Sequence, residues 1–264
     1  MWDFHHDPLQ TQLRARYHIH LTEPSQCARD LLAGRADLGL IPIAALTPEL
    51  RIVPGCTIAS LDHVRSILLI ARRPLEEIRT VAADLASLSS IAYAEILFRH
   101  FLNTNPDFIP ASANVPAMLA HADAALIIGD PALLAHEHRA EIEAIAGPCD
   151  WHDLAAEWRT RTSLPWVAAV WAVRPEAVPT PAARHQLIDD LNASRLHGLA
   201  HVDDLVRDWT PRIAISAATI RTYLTRNIHY SLDPDCLAAI LKFRALAAQI
   251  GILDPLPNLP MLEL

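Results

Sequence analysis

Glycine is scarce in this sequence, with 7 in 264 residues, where average usage of about 7% would give roughly 18. Gly34, Gly39, Gly55, Gly129, Gly147, Gly198 and Gly251 assemble no G-x-G-x-x-G and no G-x-x-x-x-G-K. Nicotinamide, flavin and P-loop phosphate cradles are unsupported, because their backbone must approach the phosphates where only glycine fits. Lysine is scarcer: Lys242 is the sole one among 22 lysines and arginines, so Schiff-base chemistry has a single, C-terminally placed candidate. The longest apolar run, Trp166–Val173, falls far short of the roughly 20 residues of a membrane span. The opening MWDFHHDPLQ has neither the basic nor the apolar stretch of a secretory signal, and a cytoplasmic protein is the expectation. Cys27, Cys56, Cys149 and Cys236 form no C-x-x-C pair and read as buried thiols in a reducing compartment.

What is present describes an ordinary globular chain, 52% hydrophobic and 20% charged, with a net charge of −8. No basic stripe supplies the electrostatic attraction that nucleic acid or an anionic membrane requires. A small anionic ligand remains open, provided that a local cluster of donors receives it. The fourteen histidines cluster at His5-His6, at His18 and His20, and at His136-Glu137-His138. None has the i, i+4 spacing with an intervening glutamate of a zinc protease. His18 and His20 would share one face of a strand, and no catalytic metal is expected. The absence of G-x-S-x-G disfavours an α/β-hydrolase triad.

Short apolar strands alternate with amphipathic helices, the pattern of an α/β fold. Ser25 reads as the N-cap of a helix stopped by Gly34. Strands are expected at 38–41, 51–53, 57–60, 66–71, 80–83, 107–109, 124–128 and 166–173, and helices at 89–101, 114–121 and 154–160. Asp130 followed by Pro131 predicts an acidic N-cap with proline at the first helical position. Beyond the proline-rich step after Arg174 the chain is mainly helical. Two lobes follow, the first comprising residues 1–75 and 175–264, the second 76–174, with the helical C-terminal part packed on the first lobe.

Serines carry the sharpest chemical signal. Ser87, Ser89 and Ser90 stand between a strand ending at Ala83 and the following helix. In an open α/β sheet that is the carboxyl end of a strand, where ligands bind. Hydroxyls beside the free N–H groups of a helix N-terminus would suit a carboxylate-bearing ligand, although simple capping accounts for any one of them equally well. Ser66 opens the apolar strand after Asp62-His63.

The segments PSQCARDLLAGRADLGLIPIAAL, RIVPGCTIASLDHVRSILLIARRPLEEIRTVAADLASLSS, ADAALIIGDPALL and HDLAAEWRTRTSLPWVAAVWAVR resemble, in order, the chorismate dehydratases of the futalosine route to menaquinone. YLTRNIHYSLDPDCLAAILKF is similar to the same family, and the resemblance runs from Trp2 to about Leu253. It implies a type II periplasmic-binding-protein-like fold, two α/β lobes around a cleft, used as a cytoplasmic hydro-lyase without cofactor or metal. Its substrate would be chorismate and its product 3-[(1-carboxyvinyl)oxy]benzoate. By position, Ser66 in DHVRS matches the family's active-site serine in V-x-S. Ser87, Ser89 and Ser90 match the substrate loop D-x-S-S-x-T-S, and Asp130 matches the aspartate of I-G-D, where helix capping is an equal reading.

The sequence departs from the family at three places. Leu88 stands where the family has an arginine, and Ser163 replaces the glycine before Leu-Pro. Family members also begin with a strand ending in an aromatic-Leu-Asn step, whose asparagine lines the active site. That step would lie upstream of Met1, so the resemblance predicts a missing first strand, and weak or no activity until such a strand is added. Two further readings stay open: a non-catalytic small-anion-binding protein of the same fold, and the sister dihydroxynaphthoate synthase.

Overall fold

The computed structural model describes residues 1–83 and 88–264, so Ser87 and the segment around it lie outside the described residues. Helices α1 (Gln10–Arg16) and α2 (Pro24–Leu32) precede strands β1 (Leu38–Pro42), β2 (Arg51–Ser60), β3 (Ile67–Ala71) and β4 (Thr80–Ala83). Then come α3 (Leu88–Ile96), β5 (Asp107–Pro110), α4 (Val115–His121), β6 (Ala124–Ile128), α5 (Asp130–Glu137), α6 (Arg139–Ala146), β7 (Asp150–Asp153), α7 (Leu154–Thr162) and β8 (Trp166–Val173). The last third holds α8 (Pro181–Ala200), α9 (Val202–Trp209), α10 (Ala217–Thr222), β9 (His229–Leu232) and α11 (Pro234–Gln249).

The strands form two sheets, of orders β1-β8-β2-β9 and β5-β4-β6-β3-β7. The first is antiparallel throughout. The second is parallel at β5, β4 and β6 and antiparallel where β3 meets β6 and β7. Each sheet takes a strand from across the expected boundaries at residues 75 and 175: Ile67–Ala71 belongs to the second sheet and Trp166–Val173 to the first. β2 ends at Ser60 in the first sheet and β3 begins at Ile67 in the second, so the chain changes sheets between them.

Every residue of β3 is buried, which accounts for its continuous apolar sequence, since neighbours cover both faces. The two short strands expected on either side of Pro54-Gly55 are one strand. Gly55 sits at φ 96° within a shift of register between Ile52 and Thr57, so the chain bulges rather than ends. Helix α2 begins one residue before Ser25. Glu23 is its cap and Pro24 its first residue, a position that costs proline no hydrogen bond. Residues 17–23 form no strand, so His18 and His20 do not share a strand face.

One hydrophobic cluster joins both sheets. It includes Ile41, Ile52, Val170 and Trp166 of the first, Leu69, Val81 and Leu126 of the second, and Phe243 of α11. The helical C-terminal part reaches beyond the first sheet. Leu133 of α5 packs with Val206, Ile215 and Ile220, and Glu137 accepts hydrogen bonds from Ser216 N and Thr219 Oγ1. No helix among the described residues is long and apolar enough to cross a membrane.

Candidate functional site

The chain crosses from the first sheet to the second through residues 61–66, and this crossing is held by four residues from three separate parts of the molecule. Arg65 adopts φ 64°, a left-handed conformation that costs a non-glycine residue roughly 1–2 kcal/mol. Its N–H donates to Asp153 Oδ2 at 2.6 Å. Asp153 Oδ1 caps α7 by accepting from Ala155 N and Ala156 N at 2.9 and 3.2 Å. One residue on, Ser66 C=O accepts from Gly129 N at 2.8 Å, and Ser66 Oγ accepts from the Tyr223 hydroxyl at 3.1 Å. Asn227 Nδ2 donates to His63 C=O at 2.9 Å. Tyr223 and Asn227 are the two ends of a π-helical turn following α10, so that turn grips the crossing at both ends. Strained backbone held by many partners is the mark of a site whose geometry is imposed by its surroundings.

The electrostatics agree with a preserved phenol. Burial raises the Tyr223 pKa above its ordinary value; the hydrogen bond to Ser66 opposes this, and the nearby Asp130 charge adds to it. On the other side of the crossing, His136 is held below its usual value by burial and next by the Arg65 charge, with Asp153 opposing. His136 stays neutral over a wider pH range, and its buried Nε2 has no hydrogen-bond partner.

The residues expected from sequence separate into two groups. Ser66, 6% exposed, is hydrogen-bonded to Tyr223, and the charge of Asp130 acts on the same phenol. Asp130 is exposed and is not a cap. Gly129, at φ 66°, occupies that position with no side-chain cap, and Asp130 is the first helical residue. A carboxylate there is favoured by the helix dipole. Ser89 and Ser90 lie in the first turn of α3, both almost fully buried. Ser89 Oγ accepts from Ala44 N at 3.3 Å and donates to Ala168 C=O at 3.4 Å. One turn further, the Tyr93 hydroxyl donates to Val167 C=O at 3.0 Å and accepts from Val167 N at 3.3 Å. Helix α3 is thus tied to β8, and the Ser89 hydroxyl serves that tie.

A cavity of about 690 Å³ opens beside the first sheet, walled by Trp2, Trp171, Trp209 and Tyr230. Arg195 lines it with its Nε buried and unpartnered, while Nη1 donates to Ser231 Oγ at 3.3 Å. None of Ser66, Ser89, Ser90 and Asp130 lines this cavity, although Leu224, next in the chain to Tyr223, does.

Among the described residues one group has the composition of a metal site: ligand atoms of His229, Asp233 and Cys236 lie within 4.8 Å of one another. Their donors and acceptors are already engaged. Asp233 Oδ1 accepts from Cys236 N at 2.8 Å, capping α11, and Oδ2 meets His229 Nε2 at 2.7 Å. Burial, with the Asp233 charge adding to it, pushes the Cys236 thiol up to about 12. The thiolate that a metal requires is disfavoured, and the arrangement is complete as a helix cap. Of the histidine clusters, His6 stacks on Trp2 and His138 pairs with Glu141.

Sequence reasoning missed Tyr223 and Asn227. Their segment was visible only as part of the resemblance, because an inserted π turn leaves no periodic signal and 157 residues separate Tyr223 from Ser66.

The family model described as menaquinone biosynthesis matches residues 3–249. A chorismate dehydratase of Thermus thermophilus is 26% identical over 249 residues, covering 90% of this chain and 87% of the relative. Protein AF1704 of Archaeoglobus fulgidus superimposes with a TM-score of 0.68 at 14% identity, covering 96% of this chain and 94% of that one. The periplasmic aliphatic sulphonate binding protein SsuA of Escherichia coli gives 0.63 at 14%, with 96% and 88% covered. The Candida albicans CA3427 gene product, described as having the generic periplasmic binding protein fold, gives 0.62 at 14%, with 97% and 92% covered. The fold is periplasmic-binding-protein-like, as the sequence led one to expect.

Proposed function

The chain belongs to the menaquinone biosynthesis family, and from that premise we propose that it is a hydro-lyase that dehydrates chorismate to 3-[(1-carboxyvinyl)oxy]benzoate. In that reaction the C3–H bond breaks and its electron pair forms the C3=C4 double bond of the new aromatic ring. The C4–O bond breaks, and the departing hydroxide leaves as water with the proton. Aromatisation supplies the driving force, and the enolpyruvyl carboxylate of the substrate itself is the base. The protein's task is then to orient the substrate, donate hydrogen bonds and exclude water.

The observation that carries this reading is the immobilised Ser66, at the position of the family's active-site serine, with its backbone and side chain both anchored. Its hydroxyl would donate to a substrate carboxylate or to the leaving hydroxyl. By the same resemblance, Ser87, Ser89, Ser90 and Asp130 would complete the substrate site.

The test is to incubate chorismate with the protein and follow product by mass spectrometry. Ser66→Ala is expected to lower kcat/KM by roughly 10- to 150-fold, the loss of one hydrogen bond to a charged group. Absence of product from the correctly folded protein would overturn the assignment. A second reading, a non-catalytic binder of small anions, is favoured by the likeness to a sulphonate binding protein. It predicts that chorismate raises the melting temperature while no product forms.

A further inference from the structure

We propose that Tyr223 is a positioning residue that acts through Ser66: its phenol donates into Ser66 Oγ and turns the serine's own proton outward, toward the substrate. The inference rests on the dehydratase reading of the same site and assigns a role that the resemblance to the family did not supply.

A serine hydroxyl has one proton and two lone pairs, and its proton rotates to whatever acceptor is in reach. With the bond reversed, Ser66 would spend that proton on the Tyr223 oxygen and present only lone pairs to an anionic ligand, which would repel it. Donation from the Tyr223 hydroxyl, 3.1 Å away, excludes this and leaves the serine proton free. Its direction of donation follows from two facts. The phenol is the stronger acid of the two hydroxyls, and a half-buried phenol proton without an acceptor would carry part of the penalty of desolvation. Among the described residues Ser66 Oγ is the acceptor Tyr223 has. Asp130 keeps Tyr223 in this role, because its negative charge and the burial both disfavour the phenolate.

With the lone pair filled, the Ser66 proton has no acceptor among the described residues, and the serine becomes a committed donor. The backbone contributes equally. Gly129 N fixes the Ser66 carbonyl at 2.8 Å, Asp153 fixes the amide before it at 2.6 Å, and Asn227, at the far end of the π turn from Tyr223, fixes His63. A π turn is uncommon and recurs at functional sites; here it sets the spacing that lets Tyr223 and Asn227 reach one crossing together. Serine position and proton direction are therefore both decided before substrate arrives, which is the requirement for a hydrogen bond to count fully in orientation.

The experiment is a double-mutant cycle on the full chain with Tyr223→Phe, Ser66→Ala and the double variant, reading the Kd of chorismate by calorimetry and kcat and KM by turnover. Tyr223→Phe keeps the ring and its packing. It is expected to raise Kd and KM by roughly two- to tenfold, the worth of one hydrogen bond. Because the effect passes through Ser66, adding Tyr223→Phe to Ser66→Ala should change Kd by less than about twofold. If Ser66→Ala fails to fold, Ser66→Cys, which keeps the side chain but is a weak donor, replaces it in the cycle. Multiplicative losses in the double variant overturn the inference and leave the dehydratase reading standing. So does a Tyr223→Phe variant that lowers only the melting temperature. A wild-type chain that neither binds nor converts chorismate removes the reading and the inference together.

Discussion

The five-stranded sheet draws all its strands from one unbroken stretch, Ile67 to Asp153, whereas the four-stranded sheet is gathered from Leu38–Ser60, Trp166–Val173 and His229–Leu232. Strands in the continuous sheet pair in regular register, β3 with β6 over five consecutive residues. Those in the gathered sheet shift register at three places, twice between β2 and β8 and once between β2 and β9. Bulges bend a strand and increase its twist, and β2 must leave one sheet and deliver the chain to the other. The irregularity sits where the path requires curvature. The crossing that carries Ser66 lies at the end of that bent strand, so the regular sheet supplies a fixed wall and the irregular one aims the chain at it.

The first way to break the contrast is to excavate the regular sheet. Leu69 is fully buried in the cluster that spans both sheets, so Leu69→Ala should cost about 3–4 kcal/mol. Because the core is shared, urea unfolding followed by tryptophan fluorescence and by far-ultraviolet circular dichroism should still give one coincident transition. Two separated transitions would show that the sheets unfold independently. The second compares two glycines. A Cβ at Gly55 would lie 2.4 Å from Asn192 Nδ2 and Oδ1, whereas one at Gly129 would meet nothing within 4 Å. Both have positive φ, so Gly129→Ala should cost about 1–2 kcal/mol from strain alone, and Gly55→Ala about 1 kcal/mol more. Equal costs would mean that Asn192 moves aside freely. The smallest effect is a gain. Ser163 ends α7 at φ 60° and ψ 12°, a conformation glycine adopts without strain. Ser163→Gly should add about 0.5–1 kcal/mol and raise the melting temperature by roughly 1–4 °C; an unchanged melting temperature would show that the Arg159 side-chain bond to the Ser163 carbonyl already offsets the strain.

Periodicity made the regular sheet legible. β3, β4 and β6 lie where the apolar runs put them, because strands buried on both faces announce themselves. Asp150–Asp153, with the sequence DWHD, and His229–Leu232, with HYSL, were missed. Both are four-residue edge strands, and an edge strand needs little apolar sequence to pair. Ser66 was readable from the resemblance, and its surroundings were not. Asp153 reads locally as an ordinary cap, and Gly129 reads as a turn. Tyr223 and Asn227 owe their placement to a π insertion that periodicity does not encode. Asp130 was assigned as a cap because aspartate before proline is a common cap signature. Gly129 at positive φ had already taken that position, leaving Asp130 as the first helical residue.

Each hydrogen bond that fixes Ser66 and its turn comes from a residue later in the chain: Gly129, Asp153, Tyr223 and finally Asn227. During synthesis, the 157 residues between Ser66 and Tyr223 take roughly 10–30 s to appear at about 5–20 residues per second. Through that interval the continuous sheet can already be complete while the serine's turn lacks its final clamp. The site matures later than the continuous sheet. A chain stopped before Tyr223 would contain all five strands of that sheet and a serine whose proton nothing directs.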